Sequence, residues 1–170
     1  TTEIYTLSLH DALPICSGKD WQQEGCAAYQ QMVSRLRTAG EMAKQEGIII
    51  GIRTGMDAKF DKKLLKKVGS SQIKVYYNFQ DAADHHRDIC KELRKLGAQR
   101  IVQIHASNTD SMNLQEDPEI NLPKIRKTLD KMGWSGWLVV ERSRDVKRVR
   151  DVKYNFGRNI AYLKEVFQER

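Results

Sequence analysis

Four polar residues of this 170-residue chain each follow directly on a short apolar run. They are Arg53, Asn78, His105 and Glu141. If the runs are parallel strands, their carboxyl ends lie at one edge of the sheet and the four side chains converge there. Imidazole and carboxylate groups together suit a divalent cation such as Mn²⁺, Co²⁺ or Mg²⁺. A hydrogen-bonded strand-end residue is the alternative interpretation of each position, so the hypothesis depends on all four falling in register.

The elements that position these residues are predicted from hydrophobic periodicity. Four strands are expected at 48–53, 73–78, 101–105 and 138–141, and helices at 26–45, 62–68, 88–96, 123–132 and 155–168. A run such as 48–52, apolar without alternation, is typical of a parallel strand covered on both faces. Alternating strands and helices predict an α/β fold with right-handed crossovers. Periodicity alone fits a barrel and an open flavodoxin-like sheet equally.

Four segments carry a resemblance to a known family. They are IGIRT at 50–54, KVYYNF at 74–79, RIVQIH at 100–105 and GWSGWLVVE at 133–141. They resemble strands five to eight of the sugar phosphate isomerase/epimerase family, the xylose isomerase-like TIM barrels. The resemblance implies that residues 17–170 are the C-terminal half of a (β/α)8 barrel, a fold that needs about 250 residues when complete.

The resemblance also implies a chemistry. In the active epimerases of this family the four strand ends supply Glu, Asp, His and Glu to one divalent metal, and the two glutamates serve as acid and base. The expected reaction moves a proton next to the carbonyl of a ketose or related sugar. This chain keeps His105 and Glu141, but has Asn78 in place of Asp and Arg53 in place of Glu.

The two substitutions shape what is expected of the site. Glu141 is the expected catalytic residue, Arg53, Asn78 and His105 are expected to bind substrate, and His105 and Glu141 remain as residual metal ligands. Because a guanidinium stays protonated in proteins, Arg53 is expected to replace the metal as the counter-ion of Glu141. The chain is therefore expected to bind little or no metal.

Three classes of function compete. The first is a sugar isomerase or epimerase with a degenerate metal site, and the second is a non-catalytic carbohydrate-binding relative of the same fold. Nucleic-acid binding is the weakest, because related endonucleases need a richer metal cluster and the chain has only four histidines. The expected partner is a small sugar or sugar phosphate, without nucleic acid or membrane, and a homo-oligomer is compatible with the sequence. Localisation is not indicated.

The first residues are predicted not to be native protein. TTEIYTLSLHDALPI at 1–15 matches one reading frame of a common short-read sequencing adaptor over its whole length. A signal peptide is the alternative, but no Lys or Arg precedes Lys19. Residues 1–16 are therefore expected to lie outside the fold and the sheet, and His10 and Asp11 are not site candidates. Recovering the uninterrupted gene from the source DNA tests this interpretation.

Charge and cysteine content add two further expectations. The formal net charge is +7, with a local excess of seven basic residues against two acidic ones between Arg142 and Arg158. A solvated surface and an anion-binding site both remain open for this segment. Cys26 and Cys90 are expected to be buried free thiols, while Cys16 falls at the adaptor junction. His85 and His86 are expected in a solvated loop.

Overall fold

The computed structural model describes the backbone of residues 4–8, together with residues 22–107 and 111–168. The chain forms two compact units, Thr1–Tyr76 and Tyr77–Arg170. Each unit alternates strands with helices, as the sequence predicts. No helix among the described residues is long and apolar enough to cross a membrane.

The described part of the first unit contains three parallel strands and two helices. These are β1 (Ile4–Ser8), α1 (Ala27–Gln45), β2 (Ile49–Arg53), α2 (Ala58–Val68) and β3 (Ile73–Asn78), whose last two residues belong to the second unit. Strand β2 pairs with β1 through Ile49 opposite Ile4, and with β3 through Ile52 opposite Val75. The run of β-branched residues in β2 favours such a strand with partners on both edges.

Helix α1 packs through one face, as its 3.6-residue spacing predicts. Its fully buried residues include Tyr29, Met32 and Leu36. The Arg37 side chain joins α1 to α2, donating to the carbonyls of Lys67 at 2.7 Å and Val68 at 3.2 Å. These carbonyls lie at the end of α2, where the helix has no internal donors for them and a cation is favourable.

Within residues 77–107 and 111–168, the second unit contains four α-helices and two complete strands. These are α3 (Phe79–Ala83), α4 (Ile89–Leu96), β4 (Ile101–His105), α5 (Leu122–Met132), β5 (Trp137–Val139) and α6 (Val152–Phe167). Strands β4 and β5 are parallel, with Gln103 opposite Trp137 and His105 opposite Val139. The Trp134 indole N–H donates to the Ile101 carbonyl at 3.0 Å, which fixes the entry into β5.

Several predicted boundaries need correction. Helix α2 begins four residues early because Asp57 caps it, its carboxylate accepting from the Phe60 amide at 2.8 Å. Helix α6 likewise begins at Val152, capped by Asp151. Strand β5 ends at Val139, so Glu141 lies in the following loop. The short helix α3 was not predicted at all.

The beginning of the chain also departs from expectation. Residues Ile4–Ser8 form β1, paired in parallel register with β2 from Ile4 opposite Ile49 to Ser8 opposite Arg53. The prediction that residues 1–16 take no part in the sheet is therefore wrong. Their adaptor origin is a separate question of sequence and stays a prediction. His10, Asp11 and Cys16 lie outside the described residues.

Candidate functional site

Asn78 is held rigidly at the end of β3. Its side-chain oxygen accepts from the Gln80 amide at 2.8 Å, which makes Asn78 the N-cap of α3. The same oxygen accepts from the Ser107 hydroxyl at 3.1 Å. Both side chains are buried, with Asn78 only 2% exposed. Because two donors fix the oxygen, the Asn78 amide nitrogen must point the other way.

That nitrogen faces His105 at the end of β4. Asn78 Nδ2 lies 3.4 Å from His105 Nδ1, and Glu141 Oε2 lies 3.3 Å from the same ring nitrogen. The Asn78 amide nitrogen only donates and the Glu141 carboxylate only accepts. An unprotonated Nδ1 therefore accepts from Asn78, whereas a protonated Nδ1 donates to Glu141. The structure thus brings three of the four predicted residues into one hydrogen-bonding network.

Exposure increases along this network. The His105 side chain is 13% exposed and that of Glu141 is 48% exposed, while Asn78 is buried. A ligand therefore reaches Glu141 first. The carboxylate keeps solvent access, whereas the imidazole and the amide are positioned by surrounding protein.

The loop that carries Glu141 is fixed by two buried asparagines of α6. Asn159 Nδ2 donates to the Ser143 carbonyl at 2.6 Å, and Asn159 Oδ1 accepts from the Leu114 amide at 2.9 Å. Asn155 Oδ1 accepts from the Asp145 amide at 2.8 Å, and Asn155 Nδ2 donates to the Arg148 carbonyl at 2.7 Å. Residues four apart share one helix face, so α6 holds this loop at two points.

The structure places Arg53 at the end of β2 in the first unit, half-buried. Its predicted pairing with Glu141, a residue of the second unit, stays a prediction.

The second unit brings together few groups that could ligate a divalent metal at this place. Among the residues that the structure describes, no three His, Cys, Asp or Glu side chains lie together in a way that holds a metal ion. Asn78 offers no substitute ligand, because its oxygen is engaged by Gln80 and Ser107 and its N–H groups face His105. One imidazole and one half-exposed carboxylate remain as the protein groups of this network that could contact a cation.

Ser107 is a site residue that the sequence prediction missed. It is fully buried and lies two residues beyond His105, a spacing that puts side chains on the same side of an extended chain. That spacing was a usable signal. The asparagines Asn155 and Asn159 had no comparable signal, since their partners are 4 to 45 residues away along the chain.

Other residues of chemical interest lie outside this network. His85 and His86 are exposed in the turn between α3 and α4, as predicted, and His86 Nδ1 lies 3.7 Å from a Glu119 oxygen. Cys90 is a buried free thiol, as predicted. Cys26 is only half-buried and caps α1, its sulfur accepting from the Tyr29 amide at 3.3 Å.

Comparison with known families agrees with this fold. Residues 5–166 match the family described as "Xylose isomerase-like TIM barrel". The chain therefore belongs to the xylose isomerase-like TIM-barrel family. A comparison with curated protein sequences gives no significant match.

Solved structures share the fold at low sequence identity. A D-psicose 3-epimerase in the presence of D-fructose matches at 15% identity and a TM-score of 0.75, covering 97% of this chain and 65% of that one. A 3-keto-D-glucoside 4-epimerase from E. coli matches at 11% identity and a TM-score of 0.70, covering 95% and 63%. D-psicose 3-epimerase from Clostridium cellulolyticum H10 with D-tagatose matches at 11% identity and a TM-score of 0.66, covering 84% and 57%. The chain spans less than two thirds of the length of these structures.

Proposed function

We propose that this chain belongs to a sugar isomerase or epimerase that acts on a ketose or related sugar by proton transfer next to a carbonyl. The observation that carries the proposal is the position of His105 Nδ1, 3.4 Å from Asn78 Nδ2 and 3.3 Å from Glu141 Oε2, at the carboxyl edge of β3 and β4. In a parallel α/β fold this is the edge where substrates bind. Sugar epimerases among the structures of the same fold support the substrate class.

The three side chains have complementary parts in such a reaction. Glu141, half-exposed, accepts the proton from the carbon next to the carbonyl, and the electron pair of the broken C–H bond moves toward the carbonyl oxygen. Negative charge developing on that oxygen is stabilised by an N–H donor, which the His105 ring provides. The buried Asn78 amide faces His105 Nδ1 and positions the ring. Return of a proton from Glu141 to the same carbon completes the exchange, as the electron pair moves back from the oxygen to that carbon.

We further propose that the metal site of the family is degenerate in this chain. The support is chemical: the Asn78 oxygen is already engaged, and its N–H groups face His105. An N–H group cannot ligate a cation, so the amide does not replace the carboxylate of the family pattern. No step above is routed through a metal.

Exchange of substrate hydrogen with solvent tests the catalytic proposal. We expect D-fructose incubated with the protein in D₂O to lose its C3 proton signal in NMR, since the epimerases of the same fold handle ketoses. Glu141→Gln keeps the shape but not the base, and should slow exchange about a hundredfold or more. Glu165→Gln, which changes an exposed carboxylate of α6, is the matched control and should leave the rate unchanged.

A non-catalytic carbohydrate-binding protein is the second candidate, favoured by the missing ligand oxygen at Asn78. It predicts that the protein binds D-fructose, that Glu141→Gln weakens binding, and that no solvent exchange occurs. Exchange by the unmodified protein rejects this candidate. If the protein shows neither solvent exchange nor sugar binding, both candidate functions are rejected.

A further inference from the structure

Ser107 takes no part in the reaction proposed above, although it lies beside the site. Its side chain is fully buried, and its hydroxyl donates to Asn78 Oδ1 at 3.1 Å. The Gln80 amide donates to the same oxygen at 2.8 Å. An amide oxygen accepts two hydrogen bonds, so this one has both of its partners. The two donors therefore determine which way the Asn78 amide is turned.

The orientation of this amide determines what His105 Nδ1 meets. In the reversed orientation the Asn78 NH₂ group would face the Gln80 N–H, and two donors would meet without an acceptor. Asn78 therefore directs an N–H group toward Nδ1, which lies 3.4 Å from Nδ2. A neutral imidazole has one donor nitrogen and one acceptor nitrogen, so an accepting Nδ1 leaves the hydrogen on Nε2.

Glu141 favours the opposite arrangement of the ring. Its Oε2 lies 3.3 Å from His105 Nδ1 and only accepts, so it favours a hydrogen on that nitrogen. The Glu141 side chain is 48% exposed and keeps water around it in either case. Asn78 is 2% exposed, so its N–H group would lose its partner without regaining water. Because an unpaired buried donor costs more than an exposed ion pair contributes, Asn78 decides.

We infer that Ser107 is a positioning residue, which through Asn78 fixes the neutral His105 ring in the tautomer that carries its hydrogen on Nε2. The inference deepens the proposed function and rests on it for its catalytic use. The N–H group that polarises the carbonyl oxygen is then Nε2–H, and a neutral imidazole is able to polarise a carbonyl in this way. The Asn78→Asp change would direct an acceptor toward Nδ1 and draw the hydrogen to that nitrogen, away from the substrate oxygen.

A purely structural part for Ser107 is the competing interpretation. A buried hydroxyl needs a hydrogen-bond partner wherever it lies, and the Asn78 oxygen is one. On that interpretation Ser107→Ala lowers the stability of the protein and leaves the His105 ring as it was. The tautomer of the ring separates the two interpretations, since loss of stability alone does not change it.

Nitrogen NMR of the full chain, labelled with ¹⁵N at histidine, measures the tautomer. Spectra are recorded at about pH 9, where an ordinary imidazole is neutral, with a chelator present. The His105 signals are those missing from His105→Gln. The unmodified chain should show an unprotonated Nδ1 and a protonated Nε2. Asn78→Asp should show a hydrogen on Nδ1.

Ser107→Ala removes one of the two donors that hold the Asn78 oxygen. It should raise the ratio of Nδ1–H to Nε2–H by up to about tenfold, the loss expected for one hydrogen bond. Thr128→Val is the matched control, because it removes another buried hydroxyl of the second unit, one that donates to the Lys124 carbonyl at 3.1 Å. It should leave the ratio unchanged. Circular dichroism checks that each variant is folded.

The outcomes separate this inference from the proposed function. A hydrogen on Nδ1 of the unmodified chain overturns the inference, because Glu141 then decides, and solvent exchange by the same chain would leave the proposed function intact. An unchanged ratio in Ser107→Ala overturns the positioning part of Ser107. The expected tautomers without solvent exchange support the inference and reject sugar chemistry. Where exchange occurs, Asn78→Asp without metal should slow it about a hundredfold through loss of the N–H donor.

Discussion

At the scale of single residues, one atom of Asn78 decides what the site can bind. The side-chain oxygen caps α3 and accepts from Ser107, so the other branch of the side chain is what faces His105. A carboxylate at this position would place an acceptor there, and an amide places a donor. With the surrounding hydrogen bonds unchanged, Asp at position 78 would therefore present an oxygen that can ligate a cation. Asn at the same position presents an N–H group that pairs with the imidazole.

Restoring the family pattern should restore metal binding. We expect Mn²⁺ titration to give weak or no binding for the unmodified chain, because both Asn78 and Arg53 remove a ligand oxygen that the family supplies. Asn78→Asp alone should bind weakly, and the double variant with Arg53→Glu should bind most tightly. The new carboxylate at 78 still accepts from Gln80 and Ser107, so folding should be retained.

The same titration tests the predicted ion pair between Arg53 and Glu141. Arg150→Glu reverses an exposed charge in the same way and serves as the control for non-specific attraction. If Arg150→Glu raises the Mn²⁺ affinity as much as Arg53→Glu does, the gain comes from general electrostatic attraction and not from ligation of the ion by residue 53. Tight Mn²⁺ binding by the unmodified chain contradicts both the degenerate site and the ion pair.

At the scale of elements, replacing either of two helical glycines with alanine should have opposite effects on stability. A Cβ at Gly40 in α1 would lie 2.6 Å from Ser70 Cβ and 3.2 Å from Ile73 Cγ1, whereas one at Gly157 in α6 meets no described atom within 4 Å. Gly40→Ala should therefore destabilise the protein by about 1–3 kcal/mol through overpacking. Gly157→Ala should stabilise it by up to about 1 kcal/mol through helix propensity.

Urea denaturation followed by circular dichroism measures both changes, each variant serving as the control for the other. Both variants replace a helical glycine with alanine. An equal shift of the urea midpoint in both would therefore reflect the helix propensity of alanine and contradict the packing argument. A Gly40→Ala variant as stable as the unmodified chain would mean that Ser70 moves aside at little cost.

The sequence predicts elements well where apolar runs dominate. Strands β2, β3 and β4 and the glycine after α1 lie where periodicity places them, since burial on both faces leaves little choice of residue. Helix α3 was missed because Asn78 is both the last residue of a strand and an N-cap, and five residues carry too little periodicity.

The sequence predicts the candidate site only in part as well. The strand-end rule places Arg53, Asn78, His105 and Glu141 together. In the structure His105 contacts both Asn78 and Glu141, although Glu141 lies two residues beyond β5. The functional roles of these residues stay predictions. The orientation of the Asn78 amide depends on Ser107, 29 residues away, and the backbone of Ser143 depends on Asn159. Such long-range hydrogen bonds leave no local pattern, so the sequence could name the site residues but not which atoms they present.

At the scale of the whole molecule, the second unit exposes an apolar surface beside β5. A groove of about 530 Å³ lies between α5, α6 and β5, and its apolar lining includes Trp137, Ile160 and Phe167. Trp137 is 70% exposed although it lies in a strand. Ile160 of α6 is exposed as well.

We expect the chain to self-associate through this surface. Strand β5 pairs with β4 along one edge, and an exposed strand with an apolar side chain is a template for pairing with another chain. Sedimentation velocity should show species larger than a monomer that increase with protein concentration. Trp137→Lys, which places a charge on the exposed strand, should shift the distribution toward monomer.

Met42→Lys is the matched control, since Met42 is 61% exposed on α1 of the other unit and the added charge is the same. If both lysine variants dissociate the protein equally, added charge and not the β5 surface is responsible. A monodisperse, cooperatively unfolding monomer at all concentrations would show that this apolar surface is stable in water by itself.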